Sequence, residues 1–160
     1  MTNSEKRKEK IRIVTMGAVL TAIVIILQFM GAFIRFGVFS VSLVLVPIVI
    51  GAATCSVGVS TWLGFVFGIV VLLSGDAAPF MSINMAGTII TVLVKGATCG
   101  FVAGIVYKLL SKWNSFAGVL GASLICPIVN TGVFLLGCWV FFLDGITAWG
   151  TAAGFNNVVA

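Results

Sequence analysis

The stretch MAGTIITVLVKGATCGFVAGIV, residues 85–106, decides what kind of molecule this is. It is long enough to cross the hydrocarbon of a bilayer as one helix, for which about 20 apolar residues suffice, and its single charge is Lys95. A bare ammonium at the middle of a membrane helix costs about 3 kcal/mol or more, so by default it faces a protein interior or a cavity and marks a functional site. Counting outward to Ala86 at about 1.5 Å per residue puts Lys95 roughly 14 Å below the outer surface, near the midplane of a core about 30 Å thick. At about 100° per residue, Thr88, Thr91 and Thr98 fall within about 60° of Lys95 and make one polar stripe. Gly96, Gly100 and Gly104 repeat every fourth residue on another side, where a second helix can approach closely.

The rest of the chain agrees with that stretch. At 61% hydrophobic and 8% charged, its 160 residues lack the polar surface of a water-soluble globule, so the fold class is an all-α integral membrane protein, a multi-helix bundle. Beyond Arg12 the charges other than Lys95 are Arg35, Asp76, Lys108, Lys112 and Asp144. The net charge of +5 collects in a basic tail, residues 1–12, carrying Lys6, Arg7, Lys8, Lys10 and Arg12, and again at Lys108 and Lys112. Under the positive-inside rule both groups, and so the N-terminus, face the cytoplasm of a multi-pass protein in the cell membrane. Basic and aromatic residues are not interleaved as a nucleic-acid surface would require.

Residues 13–160 read as one transmembrane domain. Apolar runs at 11–34, 38–53, 59–73, 85–110 and 115–143 predict five spans. Pro47 predicts a kinked or irregular second span. Gly75, Asp76, Pro79 and Asn84 favour a loop over 74–84, and Arg35 and Asp144 mark outer ends. Five crossings that start inside leave the C-terminus outside. Residues 152–160 read as the start of another segment, so a sixth span is expected beyond a C-terminal truncation.

Within the fifth run, Cys126-Pro127-Ile128-Val129-Asn130-Thr131-Gly132 joins a proline that frees the Ser123 carbonyl to a mid-span amide. The pair can shape a polar pocket, or Asn130 can simply bond a neighbouring helix. Ala18 and Ala22, four apart on the first run, make a smooth strip for close contact within the protein or with a partner. Trp113 and Trp149 suit interfacial anchors, and Trp62 and Trp139 suit core packing, with stacking on a ring-bearing ligand as the alternative. Asp76 and Arg35 could help gate an outer mouth, and by default are read as solvated loop charges. Cys55, Cys99, Cys126 and Cys138 lack close pairing and read as small buried residues.

Catalysis is not expected. The chain has no histidine for metal ligation or base catalysis, no Gly-x-x-x-x-Gly-Lys-Ser/Thr phosphate loop and no paired intramembrane aspartates. No cofactor or metal is called for.

The pattern resembles the substrate-binding S components of energy-coupling factor (ECF) vitamin transporters. The resemblance runs through the basic tail, Thr15-Met16-Gly17-Ala18-Val19-Leu20-Thr21-Ala22, Val46-Pro47-Ile48-Val49-Ile50-Gly51-Ala52 and Pro127-Ile128-Val129-Asn130-Thr131-Gly132. It implies six helices and an outward-facing pocket beneath loops, with separate energising partners. Those partners are a transmembrane coupling subunit and two ATPase subunits. Ala18 and Ala22 match the family's alanine motif, which contacts the coupling subunit. The solute is then a vitamin or related micronutrient taken up with Lys95, Asn130, Thr91 and Asn84, and Lys95 favours an anionic or strongly polar one. Pantothenate, folate and biotin are not distinguished. Two rival readings remain at this stage, a self-sufficient secondary carrier or channel and a noncatalytic membrane scaffold.

Overall fold

A computed structural model of the chain describes residues 3–33, 35–36, 39–40 and 43–142, with side chains over 4–31 and 43–142. The expected sixth segment, Asp144 and Trp149 lie outside the described residues. In chain order the elements are α1 (Asn3–Phe33), β1 (Arg35–Phe36), β2 (Phe39–Ser40), α2 (Leu45–Thr54), α3 (Val57–Leu73), α4 (Ala78–Met81), α5 (Met85–Leu110) and α6 (Ser115–Phe141). The strands form a minimal antiparallel hairpin with Arg35 opposite Ser40 and Phe36 opposite Phe39.

By length and composition α1, α5 and α6 can each cross a membrane, whereas α2 and α3 are shorter apolar helices. The structure therefore corrects the expected second span. Residues 38–53 do not form one helix: the hairpin takes the first part, and α2 keeps ten residues, about 15 Å of rise against a core about 30 Å thick. Pro47 does not kink it. The proline sits in the first turn, where backbone N–H groups have no intrahelical acceptor to lose. The expected loop over 74–84 also needs correction, because it contains the one-turn helix α4 with Pro79 at its start. Gly75 turns the chain out of α3 with φ +78°, a left-handed conformation that favours glycine.

Helix starts follow local chemistry. Ser56, Asn84 and Asn114 are N-caps whose side-chain oxygens accept from the N–H groups of Val59, Gly87 and Phe116, at 3.3, 3.0 and 3.0 Å. Each satisfies one donor that the first helical turn leaves over.

The central helix is α5, clasped between α3 and α6. On the α3 side the backbones nearly touch. A Cβ built on Gly64 would meet the Gly96 carbonyl oxygen, one on Gly96 the Gly64 carbonyl oxygen, and one on Gly100 the carbonyl oxygen of Ser60. The glycine repeat at 96, 100 and 104 thus packs as its spacing predicts. We expect Gly64→Ala to lower the stability of the purified chain by about 2 kcal/mol, since rigid backbone cannot yield to the added methyl. A thermal melt in detergent reads the change, and an unaltered midpoint would contradict this packing.

Val24, Ile48, Leu63, Phe67 and Cys99 are among the fully buried core residues. Trp62 and Trp139 correct the sequence reading in the opposite direction, being 55% and 66% exposed. In lipid the surroundings are as apolar as the core, so a large ring gains little by turning inward. Gly17 of α1 faces Val59 near the start of α3, and Gly104 near the end of α5 faces Val57. The basic start of α1 and Lys108 with Lys112 consequently belong to one end of the bundle.

Candidate functional site

Along α6 a stripe recurs every fourth residue: Gly118, Ala122, Cys126, Asn130, Phe134 and Cys138. Gly118, Ala122, Cys126 and Cys138 are buried, which identifies this stripe as the face turned to the bundle. Such spacing keeps side chains on one side of a helix. Opposite it stands the α5 stripe of Thr88, Thr91, Lys95 and Cys99.

Two contacts fix the register of these antiparallel helices. Gly137 lies against Thr91, so closely that a Cβ on the glycine would strike the threonine side chain. Two turns along α5, Cys99 lies near Cys126 of α6. Lys95 falls between these anchors, as do Asn130 and Phe134.

The Lys95 ammonium lies 4.8 Å from the centroid of the Phe134 ring on α6 and 5.9 Å from that of Phe67 on α3. Both distances are within the range in which a ring face attracts a cation, by about 2 kcal/mol where water is excluded. Among the described residues the ammonium has no hydrogen bond and no ion pair. The Asp76 carboxylate is near enough to act on it electrostatically.

On the same facing stripes, two buried polar atoms lack a hydrogen-bond partner among the described residues, the Thr91 hydroxyl Oγ1 and the Asn130 carbonyl Oδ1. Thr91 is only 4% exposed. A buried polar atom left unpaired costs about 1–3 kcal/mol. Three groups with unused hydrogen-bonding capacity are thus spread along the facing stripes of α5 and α6, Thr91 level with Gly137 and Asn130 about two turns of α6 away from it. The sequence reading named all three.

Asn84 is placed differently. It caps α5, its Oδ1 accepting from Gly87 N–H at 3.0 Å and its backbone carbonyl from the Thr88 hydroxyl at 2.8 Å. Eleven residues separate it from Lys95, or about 16 Å along the axis. Asn84 therefore belongs to the rim at the α4 end of the bundle, with the spent hydroxyl of Thr88 one turn along.

Aromatic rings close the site from that rim. Phe80 of α4 meets Phe134 edge-on at 5.2 Å and Phe142 at 5.5 Å, linking the short helix to the ring over Lys95. Gln28, buried on the inner face of α1, donates from Nε2 to Asp76 Oδ2 at 2.6 Å. Asp76 is consequently not the solvated loop charge that the sequence suggests. Sequence reasoning missed Phe67, Phe80, Phe134 and Gln28. The signals were present in the four-residue spacing of Phe134 from Asn130 and in a polar amide within an apolar span.

Ala18 and Ala22 lie on the outward face of α1, together with exposed Ile11, Val14, Ile25 and Phe29. The inward face is made by Gly17, Leu20, Val24 and Gln28. The proposed docking residues and the cationic site are thus on different surfaces.

Against models of known families, residues 12–160 match the ECF transporter, substrate-specific component. No curated protein and no solved structure matches the chain.

Proposed function

Because the chain belongs to the substrate-specific components of ECF transporters, a membrane-embedded class of transport subunits, we propose that it captures a vitamin or related micronutrient at Lys95, Thr91 and Asn130. Asn84 stands at the entrance. The observation that carries this reading is an ammonium with no acceptor among the described residues, on the same facing helix stripes as the unpaired oxygens of Thr91 and Asn130. A bound anion gives the ammonium its counter-charge, and the threonine hydroxyl supplies a further hydrogen bond to it. Phe134 and Phe80 offer apolar surface to the remainder of the solute.

The solute enters from outside past Asn84 and α4. It leaves inward only after the chain docks, through Ala18 and Ala22, on a transmembrane coupling subunit that sits with two ATPases. In this orientation the N-terminus is cytoplasmic. Binding and energy supply are then divided between subunits, in keeping with the absence of a phosphate-binding loop from the sequence.

Mass spectrometry of small molecules that copurify with the chain tests the reading directly. The expected result is one organic anion retained in near-stoichiometric amount and absent from a Lys95→Ala preparation. Transport of solute by the purified chain alone in vesicles would support an autonomous carrier instead.

A further inference from the structure

The unused hydrogen-bonding capacity at Lys95, Thr91 and Asn130 differs in sign from residue to residue, and that difference constrains the solute. An ammonium only donates, a carboxamide oxygen only accepts, and a hydroxyl does either. The Asn130 Oδ1 is buried and unpartnered. With the Asn130 amide oriented as in the structure, Oδ1 turned inward, an ion that merely accepts hydrogen bonds satisfies Lys95 and Thr91 yet leaves that oxygen facing another electron-rich oxygen. A neutral donor does the reverse, leaving the ammonium without a counter-charge.

We infer that the solute carries both functions, an oxyanion such as a carboxylate for Lys95 and a separate O–H or N–H donor for Asn130 Oδ1. The inference rests on the receptor reading above and narrows its substrate class. Its spacing follows from α6. Asn130 and Phe134 are one turn apart, about 6 Å along the helix, and the ammonium sits over the Phe134 ring. The donor therefore lies on the order of 6 Å from the anion, on the cytoplasmic side of it. Outward of the anion the walls are the rings of Phe134 and Phe80, which suit an apolar or flat portion of the same molecule. The site selects an amphiphilic hydroxy or amido acid over a simple carboxylate.

Sites built to hydrogen-bond a particular group reject analogues that lack it far more strongly than apolar pockets reject a missing methylene. That contrast supplies the test. Binding to the purified full chain in nanodiscs is measured by calorimetry for donor-bearing carboxylates (pantothenate, biotin, 4-hydroxyphenylacetate) and donor-free ones (nicotinate, lipoate, 4-methoxyphenylacetate). Each acid is compared with its carboxamide. The tightest binder is expected to be a donor-bearing acid, at least about 10-fold tighter than its own carboxamide and than every donor-free acid. In Asn130→Leu the preference over donor-free acids is expected to fall below about 3-fold, while preference for acid over carboxamide persists through Lys95.

A donor-free acid that binds best, or a donor preference that survives in Asn130→Leu, overturns the inference while leaving the receptor reading intact. Failure of a folded wild-type chain, verified by its melting transition, to bind any member overturns this inference, and the receptor reading falls with it only if no small molecule copurifies with the chain either. Should Asn130→Leu not fold, the wild-type comparison of 4-hydroxyphenylacetate with 4-methoxyphenylacetate decides: equal affinities refute the donor requirement.

Discussion

Lys95→Ala is expected to weaken solute binding about 100-fold while leaving the chain as stable as before, or more so. The affinity loss follows from removing one partner of a desolvated charged pair, about 3 kcal/mol. The stability term has two parts of opposite sign. Truncation forfeits the attraction to the rings of Phe134 and Phe67, about 2 kcal/mol with the nearer ring dominating. It also removes an ammonium whose presence at mid-membrane costs about 3 kcal/mol. The two nearly cancel, with a small balance in favour of alanine. A structural lysine would behave otherwise, since losing a buried partner destabilises the whole molecule. Calorimetric titration with the copurifying solute, paired with a thermal melt of ligand-free chain, separates the cases. Unchanged affinity would remove Lys95 from the site, and a large drop in melting temperature would make it an internal fastener.

The inward placement of Lys95 was legible because a charge in an apolar run is costly unless it faces protein or a cavity. Thr91 and Lys95 both touch α6, as one stripe of α5 can, and α5 begins and ends at Met85 and Leu110 as expected. Its borders are written in local chemistry, an asparagine cap before the run and Lys108, Ser111 and Lys112 at its close. The aromatic residues were not legible in the same way. A phenylalanine facing lipid and one facing an ammonium occupy equally apolar sequence, and only the packed helices distinguish Phe134 from exposed Phe141. The same blindness explains Trp62 and Trp139, whose burial cannot be read from hydropathy when solvent and core are both oily. Residues 38–53 misled for a related reason. Apolar composition reports immersion in the membrane but not whether a segment crosses it, and here a hairpin and a short helix share the run.

Replacing both Ala18 and Ala22 by tryptophan is expected to abolish uptake while leaving solute affinity within about 2-fold of wild type, less than 0.5 kcal/mol. Both alanines face outward from α1, away from Gln28 and the core, so the new rings enter lipid and disturb no internal contact. Folding and the Lys95 site should be indifferent to them. A partner helix is not. Membrane helices associate through close van der Waals fit, and two small residues four apart allow the axes to approach. Rings inserted there hold the helices apart, and a clash of about 3 kcal/mol reduces association roughly 100-fold. The expected signature is therefore a split. Calorimetry on the isolated variant gives normal binding, whereas cells carrying the coupling and ATPase subunits accumulate no labelled solute and the variant no longer copurifies with them. Normal uptake would remove this face from the docking surface. Loss of both binding and uptake would mean that α1 acts on the pocket itself, and the hydrogen bond from Gln28 to Asp76 is the direct connection through which it would do so.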